Sequence, residues 1–308
     1  MRSSVFSTAA LAALGASVLA TCGTPAYAAD MVVKAPPPVV TQPSPFDIAF
    51  GAALMNDYIF RGISQSNRKP SVAAYFEPRF NITNTVQLYA GIAGESISFP
   101  NRAAAEIDFY GGIRPTFGPV TFDLGFWYYA YPGGEEFSPA VLNGPLPNGN
   151  IVKSRFDFYE IYGKVSWTVA EPFVLGANLY YSPNILNTGA TGTYLSGTAK
   201  YTFPAFANGL AMYVSGELGR QWLGTTDAFY GSVPLKSYTT WNAGLGFTYK
   251  VFTLDLRYSD TTLGKVDCNN FTGDHTAGLN AVGQLESKWC GAAFIAKLSA
   301  DLTLDSLK

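Results

Sequence analysis

From Phe46 onward the chain alternates between apolar and polar positions with a period of two. Ile107, Phe109, Gly111 and Ile113 fall on one face, and Glu106, Asp108, Tyr110 and Arg114 on the other. Val120, Phe122, Leu124, Phe126 and Tyr128 alternate with Thr121, Asp123, Gly125, Trp127 and Tyr129. Phe252, Leu254, Leu256 and Tyr258 alternate with Thr253, Asp255, Arg257 and Ser259. Successive side chains of a strand point to opposite faces, so each segment predicts a strand with one apolar face. Twelve such segments follow one another: 46–60, 71–82, 86–97, 104–114, 120–131, 155–167, 173–182, 193–203, 210–220, 237–249, 252–260 and 289–300. Most have the length of a tilted strand that crosses a bilayer.

The connections sort by parity. Residues 61–70, 98–103, 132–154, 183–192, 221–236 and 261–288 are long links, whereas 83–85, 115–119, 168–172, 204–209 and 250–251 are short. A soluble sandwich has no reason to alternate long and short, but an outer-membrane barrel has short periplasmic turns and longer outside loops. The expected fold is therefore all-β: a transmembrane antiparallel up-and-down β-barrel of about 12 strands, with both chain ends in the periplasm.

Composition narrows the class further. The 308 residues carry a net charge of −2, and 14% are charged against 15% aromatic. That balance excludes the basic excess of a nucleic-acid binder and the charge-rich profile of disorder. The polar faces carry Glu77, Arg79, Glu106, Asp108, Arg114, Asp123, Glu160, Lys164, Lys200, Glu217, Asp255, Arg257 and Lys297, both signs in near balance. These are candidates to line a wet pore. Aromatic residues gather at strand ends: Tyr58 and Phe60, Tyr128, Tyr129 and Tyr131, Tyr180 and Tyr181, Tyr201 and Phe203, Tyr249 and Phe252. Amphipathic rings suit the headgroup level, so two aromatic girdles are expected.

The N-terminus supplies an address. Arg2, the apolar run Val5 to Ala20 and the small-residue site Ala26-Tyr27-Ala28 form a signal peptide over 1–28 and imply export through the Sec pathway. Leu19-Ala20-Thr21-Cys22 makes an imperfect lipobox, and a membrane anchor is the other alternative. Residues 29–45 are rich in proline and read as a periplasmic linker, leaving 46–308 for the barrel. The expected location is the bacterial cell outer membrane.

One stretch carries candidate chemistry. Asp57, Tyr58, Phe60, Arg61 and Gly62, followed by Ser64-Gln65-Ser66, stand where the first strand enters its long loop. The residue types suggest an aromatic rim anchor, a glycine turn and an Arg61 that snorkels at the rim, with a selectivity or lipopolysaccharide contact as its alternative role. This D-Y-x-F-R-G-x-S-Q-S pattern, with Tyr-rich strands and the late Leu254-Asp255-Leu256-Arg257-Tyr258-Ser259-Asp260 segment, resembles the TorF-type porin family of proteobacterial outer membranes. The resemblance implies passive diffusion of small hydrophilic solutes through a polar lumen. The expected partners are outer-membrane lipid, lipopolysaccharide, the barrel insertion machinery and such solutes; a homo-oligomer stays open, since no protomer contact is legible in the sequence. The chain departs from the aromatic terminus common in such barrels, since it continues past Leu298 to Lys308. The alternative function is a narrow or plugged barrel acting as a structural or adhesive surface protein. Either long loop, 132–154 or 261–288, could close the pore by folding inward, and Trp127, Tyr129, Arg114 and Arg257 could instead form a selective track.

Cys268 and Cys290 remain after processing, and an even pair in an exported chain reads as a disulfide. A metal site at this pair would need more ligands than the single His275 provides. No nucleophile-and-base motif accompanies His275, so the expectation is no enzyme and no cofactor.

Protease added to intact cells should cut within 132–154 or 261–288 and spare 168–172 and 250–251. Cleavage confined to the short turns would reverse the orientation.

Overall fold

The computed structural model describes residues 44–307. The signal segment, Cys22 and nearly all of the 29–45 linker lie outside the described residues. Twelve strands form one closed antiparallel barrel. They are β1 Phe46–Met55, β2 Ser71–Thr83, β3 Val86–Glu95, β4 Glu106–Phe117, β5 Val120–Ala130 and β6 Phe158–Ala170. β7 Phe173–Ser182, β8 Gly192–Thr202, β9 Ala211–Leu223, β10 Tyr238–Tyr249, β11 Phe252–Thr261 and β12 Ala293–Thr303 complete the ring. Neighbours in sequence pair in space, and β1 closes on β12 from Ala49↔Thr303 to Met55↔Lys297. The links alternate as the sequence implies, tight at 84–85, 118–119, 171–172 and 250–251 and long at the other end.

The period-two pattern sets the faces. Leu54, Phe76, Ile92, Phe109, Leu124, Ile161, Leu179, Leu218 and Leu298 point outward and are exposed, forming an apolar outer wall. Their neighbours point inward, where tyrosine and glycine are complementary. An inward ring lies across a glycine on the adjacent strand: a Cβ on Gly125 would come within 2.5 Å of the Tyr162 hydroxyl, and one on Gly246 within 2.0 Å of the Tyr213 ring. Gly125 faces Tyr162 and Gly246 faces Tyr213 directly in the ladder. The high content of both residue types thus reflects how the lumen is filled.

Two expectations need correction. β1 stops at Met55 and β12 starts only at Ala293, so residues 56–60 and 289–292, read from periodicity as strand, belong to loops. The apolar alternation continues there because those residues enter another buried core. The aromatic girdles are also only half present. Tyr181, Tyr201, Tyr249 and Phe252 are outward and exposed, but Tyr58, Tyr129, Tyr131 and Tyr180 are buried on the inside. An aromatic ring near a strand end does not by itself reveal which face it occupies.

Replacing the outward Leu124 with Arg should cost about 2–4 kcal/mol, the range for a cation at the lipid midplane. The inward Asp123→Asn should cost about 1 kcal/mol or less, as for a partly solvated ion pair. Reversible unfolding in lipid vesicles measures both, and equal costs would refute the facing.

Candidate functional site

The long-loop end of the barrel is capped from within, and the cap begins at the motif after β1. Ile59–Phe60 pairs with Ile63–Ser64 in a minimal hairpin. Its tip, Arg61-Gly62, has φ of 46° and 79°. Two successive positive φ values mark the tight turn that suits a two-residue hairpin. A Cβ on Gly62 would also lie 2.5 Å from Thr240 Oγ1, so only glycine fits. Arg61 tolerates its left-handed backbone because its side chain is held strongly. Its guanidinium donates two parallel hydrogen bonds to Glu160 on β6, at 2.7 and 2.8 Å, and one at 3.2 Å to Gln221 on β9. The rings of Phe60, Tyr180 and Tyr194 lie 4.5–4.8 Å from its charge centre. Arg61 is therefore a buried lumen residue, not the snorkelling rim arginine expected from sequence. The short hairpin carries it inward, beyond the reach of the headgroups.

The rest of the motif fastens this hairpin. Asp57 accepts hydrogen bonds from Ser64 at 2.6 Å and Ser66 at 3.1 Å, and pairs with Arg68 at 3.2 Å. Burial pushes the Asp57 carboxyl up from its usual range, against the lowering effect of these three partners. Tyr58 is fully buried and donates to Glu106 on β4. Arg68 also donates to the carbonyls of Lys288, Trp289 and Gly291, joining the first loop to the last. The last loop carries helix α1, Lys265–Thr272, and Cys268 is bonded to Cys290 within it. Loop 131–157 meets it through Asn150 and Asn269 at 2.9 Å. Phe99, Tyr131, Phe137, Val152, Phe156, Phe271 and Trp289 share one apolar cluster with inner-wall rings. A cavity of about 40 Å³ remains beside Arg61, room for a few waters.

Below the cap the inner wall is ionic. Arg79 and Arg114 donate to Glu77 at 2.7 and 2.8 Å, and Arg114 reaches Asp123 at 3.3 Å. Across the ring, Arg257 pairs with Asp255 at 2.9 Å and donates to Asn242 at 2.7 Å. Glu217 accepts from Tyr194 at 3.0 Å and from Asn242 at 3.3 Å. Lys164 lies over Tyr162, Lys200 over Tyr213, and Lys297 opposes Asp255 in the ladder. All thirteen residues named from sequence as pore-lining candidates thus stand on the inner face. They do not all meet solvent: Glu160 and Asp108 are 0% exposed and Arg257 is 1% exposed. The wet lumen expected from sequence is wet only in part, because the cap and the inward tyrosines exclude water around the upper charges.

Trp127 and Tyr129 stack on Tyr110 and Phe158, with ring centres 4.1 and 4.3 Å apart. Arg257 stands on the opposite wall, so the four residues suggested as one track are not brought together. Sequence reasoning missed Glu95, which shares the inner face of β3 with Tyr89 and Ala93. That period was enough to find it. At the long-loop end Glu95, Glu106 and Asp108 bring their carboxylates within 4.8 Å of one another.

The model of a family described as "Bacterial protein of unknown function (Gcw_chp)" matches residues 40–282. No curated protein matches the chain. Among solved structures it is similar to the NanC porin, at 12% identity over 83% of this chain and 100% of that one, with a TM-score of 0.45. It is similar to an outer membrane channel from Pseudomonas putida F1, at 9% identity over 86% and 97%, with a TM-score of 0.45. LpxR from Salmonella typhimurium shares 12% identity over 83% and 99%, with a TM-score of 0.40. At these identities the likeness concerns the fold alone.

Removing one partner of a buried ion pair costs about 3–5 kcal/mol, because the other charge is left stranded. Glu160→Ala should therefore speed hydrogen exchange in 57–66 by two to three powers of ten at about 1.4 kcal/mol per decade, up to the limit set by global opening. Arg61→Ala with Glu160→Ala should be milder than the sum of the single changes. Simple additivity would show that the pair is not coupled.

Proposed function

The chain belongs to the Gcw_chp family, whose description assigns it no function, and from that starting point we propose a narrow channel of the bacterial outer membrane. Its cargo would be small hydrophilic solutes, and its own first long loop holds the mouth shut in the described conformation. The observation that carries this reading is the ionic inner wall. Charged residues at membrane depth are costly and commonly mark a solute or ion path. Arg114 and Asp123 keep 24% and 17% of their side-chain surface open, which gives this part of the path access to water. The Arg61 hairpin closes it above through contacts that can be broken without opening the barrel. The resemblance of the Asp57–Ser66 motif to TorF-type porins points the same way. The role is transport rather than catalysis, and the apolar outer wall would face outer-membrane lipid and lipopolysaccharide.

A second reading has its own support. The hairpin shares a buried apolar cluster with the other long loops, and the last of these holds a disulfide, as a permanent plug would. The barrel would then present its loops as a surface protein.

Planar-bilayer recording separates the two. The native protein should show small, infrequent openings. The Arg61→Ala and Glu160→Ala double variant should conduct several-fold more, with folding verified by its heat-modifiable migration. Silence from both proteins would favour the permanent plug and remove the channel.

A further inference from the structure

Three acidic residues converge where neither the ring of strands nor the proposed path requires them. Glu95 ends β3, Glu106 opens β4 as its direct ladder partner, and Asp108 follows on the same inner face. They are 2%, 2% and 0% exposed. One oxygen from each lies within 4.8 Å of the others. Glu106 is already oriented: the Tyr58 hydroxyl donates to Oε1, and the Tyr131 hydroxyl to Oε2 at 2.9 Å. Each of those oxygens keeps a further lone pair. Glu95 is not held in this way. Among the described residues neither of its oxygens has a hydrogen-bond donor, although both are buried and the side chain points into the cluster. No lysine or arginine pairs with Glu95 or Glu106 among the described residues.

A buried carboxylate without a partner is costly, and adjacent like charges raise the cost. An ion bound between the three groups would remove both penalties. The donor set is purely oxygen, which selects hard cations over those that favour nitrogen or sulfur. Mg²⁺ demands octahedral geometry and keeps several waters, whereas Ca²⁺ accepts irregular sets of mono- and bidentate carboxylates. We propose that Glu95, Glu106 and Asp108 bind one divalent cation of the calcium type at the barrel mouth, with Tyr58 and Tyr131 orienting Glu106 from behind. Tyr58 lies at the root of the Arg61 hairpin and Tyr131 at the root of loop 131–157. The ion would therefore tie two parts of the cap to the barrel wall.

The test uses the mature protein refolded in detergent free of lipopolysaccharide and stripped with a chelator. Calcium chloride is titrated by calorimetry. In parallel, Tb³⁺ luminescence is excited through the stacked Trp127 and Tyr110. One saturable ion per chain is expected, with Ca²⁺ displacing Tb³⁺ and a Kd no weaker than about 10⁻³ M. Glu95→Gln and Asp108→Asn should each weaken binding by at least about tenfold, and Tyr58→Phe by about tenfold as an outer partner. Glu171→Gln, exposed in the short turn at the opposite end of the barrel, should leave it unchanged. No heat and no sensitised emission from the native protein at about ten times that limit would overturn the proposal. So would binding that survives both Glu95→Gln and Asp108→Asn in folded protein, since the ion would then lie elsewhere. The native titration decides the first point even if a variant fails to fold. Conductance plays no part in either readout, so the result does not depend on the channel.

Discussion

A sheet with an open edge cannot lie in hydrocarbon, because each unpaired backbone group there costs several kcal/mol. The ladder between β1 and β12 removes that edge, and the rest of the molecule follows from it. Once the ring is closed, every strand must turn alternate residues outward to lipid and inward to the lumen. A ring of twelve strands is narrow enough for long inward side chains to interact across it. Tyrosines lie over glycines, arginines pair with carboxylates on their own strand or one or two strands away, and the aromatic pairs Tyr110–Trp127 and Tyr129–Phe158 stack along one wall.

The lumen can therefore be closed by a small object, and the Arg61 hairpin is one. A non-glycine residue at positive φ is unfavourable by about 1–2 kcal/mol. A bidentate arginine–carboxylate pair shielded from water is worth enough to hold that backbone. The pair in turn depends on the closed ring, because Glu160 and Gln221 come from β6 and β9, which meet Arg61 only when the cylinder is complete. The ring positions the receptors, and the motif after β1 supplies the ligand.

The sequence carries the ring plainly and the cap poorly. Alternation and loop parity were enough for the strand number, the facing of Leu124 and Asp123, and the inward placement of every charged residue considered. They failed at 56–60 and 289–292, where the same apolar alternation serves a loop core instead of a membrane wall. Asp57, Tyr58 and Arg61 could be marked as a unit, and Asp57 finds its partners nearby, yet the partners of Tyr58 and Arg61, namely Glu106, Glu160 and Gln221, lie far away in the chain. No local pattern specifies such contacts. Glu95 was within reach of the period-two rule, but its convergence with Glu106 and Asp108 depends on the register between β3 and β4.

Ring and cap also rest on different forces. The ring is held by backbone hydrogen bonds that lipid makes obligatory. The cap is held by side chains: the Arg61 and Asp57 ion pairs, the Cys268–Cys290 bond and an apolar core around Phe137, Val152 and Trp289. Water can replace the polar part of that set but not the backbone ladder. Local opening is therefore far less costly for the cap than for the ring. Burial lowers the pKa of His275, which sits edge-on to Trp289 within the cap. Protonation of this group opposes the closed arrangement, so its contribution weakens as pH falls below its ordinary value and is unaffected well above it. The barrel strands have no such dependence on His275. The molecule thus joins a wall that the bilayer keeps shut to a lid whose closure depends on charge.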